Sequence, residues 1–336
     1  NEKKFLDYND VLIIPKVSDK PLARKDININ IDTGYVPIVI SNMLSTGTYK
    51  IADLMSKEQV LTFIHKEYSA EEHIQNLKKI RFPEFVGITS GIQSWDIEKT
   101  IDVYSQIPVG FINVDIANVY ANMEGMVKTI KTYRDAFPDA KIVAGNICSP
   151  EPVRDLIGAG ANIIKIGVGP GAACKTRSEV GVGVPQFSAV QSVVDCAKLF
   201  GAMTIADGGC VNSGDVCKAI GAGADIVMIA GMVSHSEECD NVIEVDGKKY
   251  INFYGLGSNA QYKKFTPQEV EYRPNEGRDL LIPVKGSIFE VINQIKGALR
   301  SVCTYVGIDD ISKLKKHVEF VEVNNTINKS LEKYER

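Results

Sequence analysis

The sequence predicts a parallel (β/α)8 barrel of the TIM class, and three observations predict it. Short apolar runs rich in Val, Ile and Phe recur eight times, at 38–43, 61–66, 85–91, 110–118, 141–147, 162–168, 203–209 and 225–231. Amphipathic stretches of helical length separate them. Each run ends in Gly or polar residues: Ser41-Asn42, His65-Lys66, Ser90-Gly91, Asp115, Gly145-Asn146, Gly167, Asp207-Gly208-Gly209 and Gly231. An apolar run of this length is too short for a helix and fits a strand buried on both faces. Strands alternating with helices build a parallel sheet, and barrels assemble their sites at the carboxyl ends of the strands. A doubly wound open sheet is the competing arrangement; the eight runs and their in-step polar ends favour closure.

The connections carry their own signals. Ser69-Ala70-Glu71-Glu72 opens a helix with a Ser cap and a Glu three residues on, the reciprocal pairing of a capping box. Ser149-Pro150-Glu151 opens another, with Pro early in the helix where its missing N–H costs nothing. Gly158-Ala159-Gly160-Ala161 and Gly221-Ala222-Gly223-Ala224 each close a helix ahead of a strand. Two stretches break the repeat. Residues 169–186 form a long Gly-rich connection after the sixth strand, and 239–286 a long insert after the eighth. Within the insert, 242–254 alternates on either side of Asp246-Gly247, a hairpin signal, and 257–286 is rich in charge and Tyr and reads as a flap. The charged tail 313–336 reads as exposed. The expected organisation is a single catalytic barrel over 1–336 carrying the 239–286 insert, with no separate regulatory domain.

Composition excludes several classes of function. The 336 residues include 38 Lys+Arg and 42 Asp+Glu, a net charge of −4, with 44% hydrophobic and 24% charged residues. That balance is too apolar for disorder and lacks the basic block of a nucleic-acid binder. No apolar run approaches the ~20 residues of a membrane span. The seven cysteines (Cys148, Cys174, Cys196, Cys210, Cys217, Cys239, Cys303) are odd in number and none pairs at CxxC spacing. Neither a disulfide framework nor a zinc site is expected, and the polar opening residues carry no signal-peptide pattern. The expected setting is the reducing cytoplasm, where thiols stay free and one can serve as a nucleophile. HExxH, a GKS/T phosphate loop and a Rossmann fingerprint do not occur.

Three segments can carry chemistry. Gly167-Val168-Gly169-Pro170-Gly171-Ala172-Ala173-Cys174 places a thiol in a loop whose glycines expose backbone N–H groups. With Lys175 and Arg177 close by, Cys174 is a candidate nucleophile, although a cysteine judged alone is more often a small packing side chain. Asp207-Gly208-Gly209 sets a carboxylate before two glycines; the carboxylate can accept ribose hydroxyls and the open N–H groups can take a phosphate, with Ala230-Gly231 on the next strand. The same residues also suit a plain Gly-rich helix entry. Glu271-Tyr272-Arg273-Pro274-Asn275-Glu276-Gly277-Arg278 offers an Arg for an anion and a carboxylate for proton transfer, or a solvated charged loop. Of the histidines, His65 stands where it can line the site, while His73, His235 and His317 read as surface residues.

Ile166-Gly167-Val168-Gly169-Pro170-Gly171-Ala172-Ala173-Cys174-Lys175-Thr176-Arg177, followed by Gly181-Val182-Gly183-Val184-Pro185-Gln186, resembles the catalytic loop of the IMP dehydrogenase/GMP reductase family. The Asp207 motif and 221–225 match too, and the resemblance runs from about Asp7 to the tail. Within the family the details look like the reductase branch. Thr176-Arg177 follows the Cys where dehydrogenases usually have Thr-Gln, and 246–255, 271–277 and 300–307 resemble reductase segments. The chain departs from the pattern at Ala172-Ala173, where Ser-Val is usual, and at Gly257, where Ser is common. The first departure removes a hydroxyl beside the phosphate.

The resemblance implies NADPH-dependent reductive deamination of GMP to IMP and ammonia, a purine salvage step, through a thioimidate on Cys174 with Thr176 and Glu276 as the proton relay. It implies that Asp207, Gly208, Gly209, Ala230 and Gly231 hold ribose and phosphate, and that Gly255, Leu256, Gly257, Arg273, Glu276 and Gly277 close over the substrate. Arg24, Lys66, Asp115, Ile116, Ala117, Val168, Gly169 and Tyr272 are implied to meet the dinucleotide, with Ser301, Val302, Cys303 and Thr304 reaching it from a neighbouring subunit. Carbonyls of Gly169, Gly171 and Cys174, with Arg177, resemble a site for a monovalent cation, K+. The family is usually tetrameric. Two other readings stay open: a dehydrogenase converting IMP to XMP with NAD, and a nucleotide-binding barrel without turnover.

Overall fold

The computed structural model of the protein describes residues 4–31, 34–254 and 276–323. After a short strand β1 (Val11–Ile13), the eight apolar runs become β2 (Ile38–Ile40), β3 (Leu61–Ile64), β4 (Val86–Ser90), β5 (Phe111–Asp115), β6 (Ile142–Ile147), β7 (Ile163–Ile166), β8 (Met203–Asp207) and β9 (Ile226–Ile229). They form a closed parallel barrel in chain order. β9 pairs back onto β2, with Val227 opposite Ile38, so the sheet has no edge and the open-sheet alternative is excluded.

Alternation along the strands sorts the core into two shells. Val39, Leu61, Phe63, Phe111, Val143, Ile163, Ile205 and Met228 share one buried cluster inside the barrel. Ile38, Ile40, Ile112, Ile142, Ile164 and Val227 belong to the other, packed beneath the helices. Two-residue steps along the interior rows run Phe111, Asn113, Asp115 on β5, Ile163, Lys165 on β7 and Ile205, Asp207 on β8. The filling therefore changes from apolar at the base to polar at the carboxyl ends.

Helices α1 (Tyr49–Ser56), α2 (Ala70–Leu77), α3 (Ser94–Gln106), α4 (Met123–Ala136), α5 (Val153–Gly158), α6 (Thr176–Glu179), α7 (Gln186–Leu199) and α8 (Ser213–Gly221) occupy the connections. The capping box forms at α2: Ser69 Oγ accepts from Glu72 N at 3.2 Å, and Ser69 N donates to Glu72 Oε2 at 2.7 Å. α5 begins at Val153, later than the Ser149-Pro150 signal suggests. Residues 149–152 first make a turn, closed by Val153 N on Pro150 O at 3.1 Å. The two glycine stops have one geometry. Ala161 N donates to Leu156 O at 3.1 Å beside Gly160 at φ +115°, and Ala224 N to Ala219 O at 3.2 Å beside Gly223 at φ +114°.

The hairpin also forms as expected. β10 (Val242–Val245) and β11 (Lys248–Tyr254) pair from Val245 opposite Lys248, and β12 (Asp279–Pro283) adds to β11. Asp246 and Gly247 have φ of 49° and 72°, the two left-handed positions of a type I′ turn. Of the expected flap, 257–275 lies outside the described residues, and the remainder supplies β12.

One expectation about exposure holds and another needs correction. The tail reads as solvated, and Lys313, Lys316, His317, Glu319, Val321 and Glu322 are exposed, while 324–336 lies outside the described residues. Beyond α9 (Ile288–Val306) the described part also forms α10 (Leu314–His317) and β13 (Phe320–Glu322). β13 pairs antiparallel with β1, Leu314 is fully buried, and Phe320 packs on Phe187 with ring centroids 4.7 Å apart. The apolar residues spaced among the lysines are what dock it.

His73 is the correction: it is buried, with its Nδ1 paired to Tyr49 Oη at 2.5 Å. Burial, with smaller contributions from Lys99 and His65, lowers its pKa from 6.5 to about 3. The unfolded chain takes up this proton near 6.5 while the folded one resists it. The stability contributed by a neutral His73 is thus complete above pH 6.5 and is lost as pH falls towards 3. At pH ~5 the loss is about 2 kcal/mol. Urea unfolding of wild type and His73→Gln at neutral pH and at pH ~5 should show the acid loss in the wild type and a smaller one in the variant; equal losses would refute the assignment.

Candidate active site

The 169–186 connection stands over the carboxyl ends of the strands and is tied down at three places. Residues 276–278 pair antiparallel with 173–175: Lys175 N donates to Glu276 O at 2.7 Å and Arg278 N to Ala173 O at 2.8 Å. Arg177 forks onto Asp7, Nη1 to Oδ2 at 2.8 Å and Nη2 to Oδ1 at 3.3 Å, and Nη2 also donates to Val184 O at 2.8 Å. Gln186 Nε2 donates to Ile166 O at 2.8 Å and to Asp207 O at 3.2 Å, stitching the far end of the loop to β7 and β8. Gly169 is required twice over. Its φ is +88°, and a Cβ there would lie 2.6 Å from Arg177 Cγ.

These ties bring three residues far apart in the chain into one row. Cys174 Sγ lies 3.3 Å from Thr176 Oγ1, and Thr176 Oγ1 donates to Glu276 Oε2 at 2.7 Å. A hydroxyl has one proton, so a threonine donating to the carboxylate can only accept from the thiol. The row is a path along which the sulfur's proton can move to Glu276. At its described end the charged 271–278 segment is therefore not a solvated loop: Glu276 is half-buried and turned onto the loop bearing the cysteine.

Below the loop lies a charged cluster that the sequence reading did not anticipate. The ammonium of Lys165, 1% exposed, sits 3.2 Å from Asp115 Oδ2 and 3.2 Å from Asp207 Oδ2. Asn42 Nδ2 donates to the same oxygen of Asp115 at 2.8 Å, and Asn146 Nδ2 to the same oxygen of Asp207 at 2.8 Å. Burial works against the lysine's charge, but the carboxylates of Asp115 and Asp207 outweigh it and hold the pKa above the ordinary lysine value. Gly145 makes the room: a Cβ there would stand 2.5 Å from Lys165 O and 2.7 Å from its Cβ.

A cavity of about 460 Å³ opens between the charged cluster and the Cys174 row, within the range of small-molecule sites. It brings together Cys174, Thr176, Glu276, Lys66, Asp115, Ile116, Ala117, Val168, Gly169, Gly171, Asp207, Gly208, Gly209, Ala230 and Gly231, with His65 also on its wall as expected. Gly277 is buried opposite Cys174 in the loop ladder. Arg24 stands in an exposed turn away from the cavity. Ser301, Val302, Cys303 and Thr304 lie on α9 and do not line it. Cys303 falls on the helix face with Leu299 and Val306 and is fully buried, so its thiol points into this subunit's core. Gly255, Leu256, Gly257, Tyr272 and Arg273 lie outside the described residues.

The cysteines separate by environment. Burial pushes the Cys217, Cys239 and Cys303 thiols up to about 12, and Cys210 well above its ordinary value. A thiol near 12 holds about 10³-fold less thiolate at neutral pH than an ordinary one. Limited iodoacetamide treatment followed by peptide mapping should label the half-buried Cys174 and leave those four unmodified. Labelling of Cys217 or Cys303 before Cys174 would contradict this order.

Fold and site together are those of a (β/α)8-barrel enzyme. Residues 5–331 match the model of the IMP dehydrogenase / GMP reductase domain. GMP reductase of Ascaris suum is 38% identical over 98% of this chain and 96% of its own length. Human GMP reductase 1 is 40% identical over 96% of each, and the Yersinia enterocolitica GMP reductase 37% over 96% of each. The chain belongs to the IMP dehydrogenase/GMP reductase family.

Proposed function

We propose that this chain is a GMP reductase, catalysing the NADPH-dependent reductive deamination of GMP to IMP and ammonia in purine nucleotide salvage. The observation that carries the proposal is the hydrogen-bonded row Cys174–Thr176–Glu276 at the cavity wall. Its chemistry suits the reaction step by step. Through Thr176, the thiol proton passes to Glu276, and the thiolate bonds to C2 of the guanine. Glu276, now protonated, returns its proton to the exocyclic amine, the C2–N bond breaks, and ammonia leaves from a thioimidate. NADPH, when bound, supplies the hydride that C2 receives. The sulfur then departs with the C–S bonding pair and IMP is released.

The remaining roles follow the cavity wall. Asp207 accepts from the ribose hydroxyls, and Gly208, Gly209, Ala230 and Gly231 leave backbone open to the phosphate, with Ala172 contributing no hydroxyl. Gly277 closes over the substrate, and the same role is proposed for Gly255, Leu256, Gly257 and Arg273, which lie outside the described residues. Lys66, Asp115, Ile116, Ala117, Val168, Gly169 and Tyr272 meet the dinucleotide, Arg24 approaches its 2′-phosphate, and the α9 stretch Ser301, Val302, Cys303 and Thr304 reaches it from a neighbouring subunit of a homotetramer. The polar wall at Lys66, 44% exposed at its side chain, and Asp115 suits a charged, ribose-bearing group. Neutral carbonyls are the donor set of a K+ cage. In the loop ladder the bonds are made by Lys175 and Arg278, which leaves the Cys174 carbonyl out of it, while Gly171 O spends one lone pair on Cys174 N at 2.9 Å. With Gly169 and Arg177, these carbonyls would hold K+ and so shape the loop.

The proposed setting is the cytoplasm, where cysteine thiols stay reduced. Among the described residues no helix is long and apolar enough to cross a membrane. The test is a paired measurement of nicotinamide absorbance. NADPH consumption with GMP, and no NADH formation with IMP and NAD, is expected. The reverse pattern would make the chain an IMP dehydrogenase, and nucleotide binding without either reaction would leave a non-catalytic barrel.

A further inference from the structure

Lys165 touches neither end of the proposed relay, yet it is a fully buried cation in the middle of the site. Its register explains the placement. It stands one interior step above Ile163, with Gly145 of β6 on one side and Ile205 of β8 on the other. From there the ammonium reaches across to β5 and β8 and meets one oxygen each of Asp115 and Asp207 at 3.2 Å. Asn42 and Asn146 donate to those same two oxygens at 2.8 Å. Both Oδ2 atoms are thus occupied from inside the protein, while among the described residues no protein hydrogen bond holds either Oδ1. The carboxylates line the cavity, their side chains 11% and 22% exposed.

We propose that Lys165 is a positioning residue: it locks the carboxylates of Asp115 and Asp207 in one ionised arrangement, Oδ1 outward, and so couples the substrate subsite to the dinucleotide subsite. The inference rests on the reading above, in which Asp207 takes the ribose of the substrate and Asp115 that of the dinucleotide. A hydroxyl bonds most strongly to a carboxylate that is charged and already oriented. Two carboxylates facing one cavity repel each other, and the cation between them removes the repulsion. Without it, the two would swing apart, and that change would weaken both ligands together. A residue serving only to fill the barrel would lower stability and leave KM alone.

The experiment compares wild type, Lys165→Met and two charge-balanced pairs, Lys165→Met with Asp115→Asn and Lys165→Met with Asp207→Asn. Each pair keeps the cluster's net charge of −1, since one cation and one carboxylate charge are lost together. Lys165→Met should raise KM for GMP and for NADPH about tenfold or more each, with a smaller fall in kcat. Adding Asp115→Asn should return the GMP KM to within about threefold of wild type and leave the NADPH KM high; adding Asp207→Asn should do the converse. If Lys165→Met does not fold, the two pairs decide the question by themselves. Unchanged KM values in Lys165→Met, or pairs that raise both KM values alike, would overturn the coupling while the reductase reading stands. A wild type that fails to turn over GMP with NADPH would overturn that reading first and the coupling with it.

Discussion

Cys174→Ala is expected to abolish turnover while the variant still binds GMP. The substitution removes one sulfur atom from a half-buried position and leaves the loop's ties in place. The 173–175 ladder uses backbone atoms, and Arg177 and Gln186 anchor the loop through other residues. Asp207, Gly208, Gly209 and Gly231, the residues proposed to hold ribose and phosphate, are untouched. The reaction, however, has no other route. Without a nucleophile at C2, amine departure and hydride addition must occur on an aromatic ring that carries no activating bond. A loss of about 10⁴-fold or more in kcat is expected, with the GMP dissociation constant changed less than about tenfold. Turnover by coupled assay and binding by calorimetry check both halves. Mass spectrometry of wild type quenched with GMP should find the nucleotide on the peptide bearing Cys174, and the variant should carry none. Residual turnover near the wild-type rate would show that the purine is not attacked by this sulfur.

The barrel was legible because its signal is local. Each run of Val, Ile and Phe declares a buried strand without reference to any other, and eight of them leave few ways to close a sheet. The hairpin at Asp246-Gly247 and the glycine stops at Gly160 and Gly223 were legible for the same reason: each depends on a few adjacent residues. The thiol loop was legible as a place and, through resemblance, as a chemistry. Its geometry was not, because the partners come from far along the chain: Asp7 on Arg177, Glu276 on Thr176. Lys165 was overlooked although a signal existed. In a strand whose Ile163 faces the interior, the residue two positions on faces it too, and a lysine there demands an anionic partner. His73 had a similar clue, since Leu77 lies one helical turn away on the same buried face of α2. Cys303 shows the reverse case. The resemblance makes its segment a candidate contact, while the helical period turns its thiol to the core with Leu299. Resemblance selects a segment, and only periodicity tells which of its side chains can reach a ligand.

Glu276→Gln separates the two halves of the reaction, because the halves use the carboxylate differently. Glutamine keeps the shape and can still pair with Thr176, but it can neither take nor return a proton. Hydride exchange can be isolated by mixing IMP with NADP+ in the absence of ammonia, where formation of the thioimidate is seen as a burst of NADPH. That half requires only the thiolate, and a free thiol is a few per cent ionised at neutral pH without help. Its loss should therefore be modest, roughly tenfold. Deamination asks for more. The amine cannot leave as an anion, and its proton must arrive as the C2–N bond breaks. Loss of a positioned acid costs typically 10²–10⁴-fold, so GMP reduction should fall by about that factor. Thr176→Val should follow the same order, since it interrupts the row between Sγ and Oε2 without altering either end. Equal slowing of the burst and of steady-state deamination would mean that Glu276 acts on the thiol alone. A Thr176→Val variant with both rates intact would mean that the proton travels by another path.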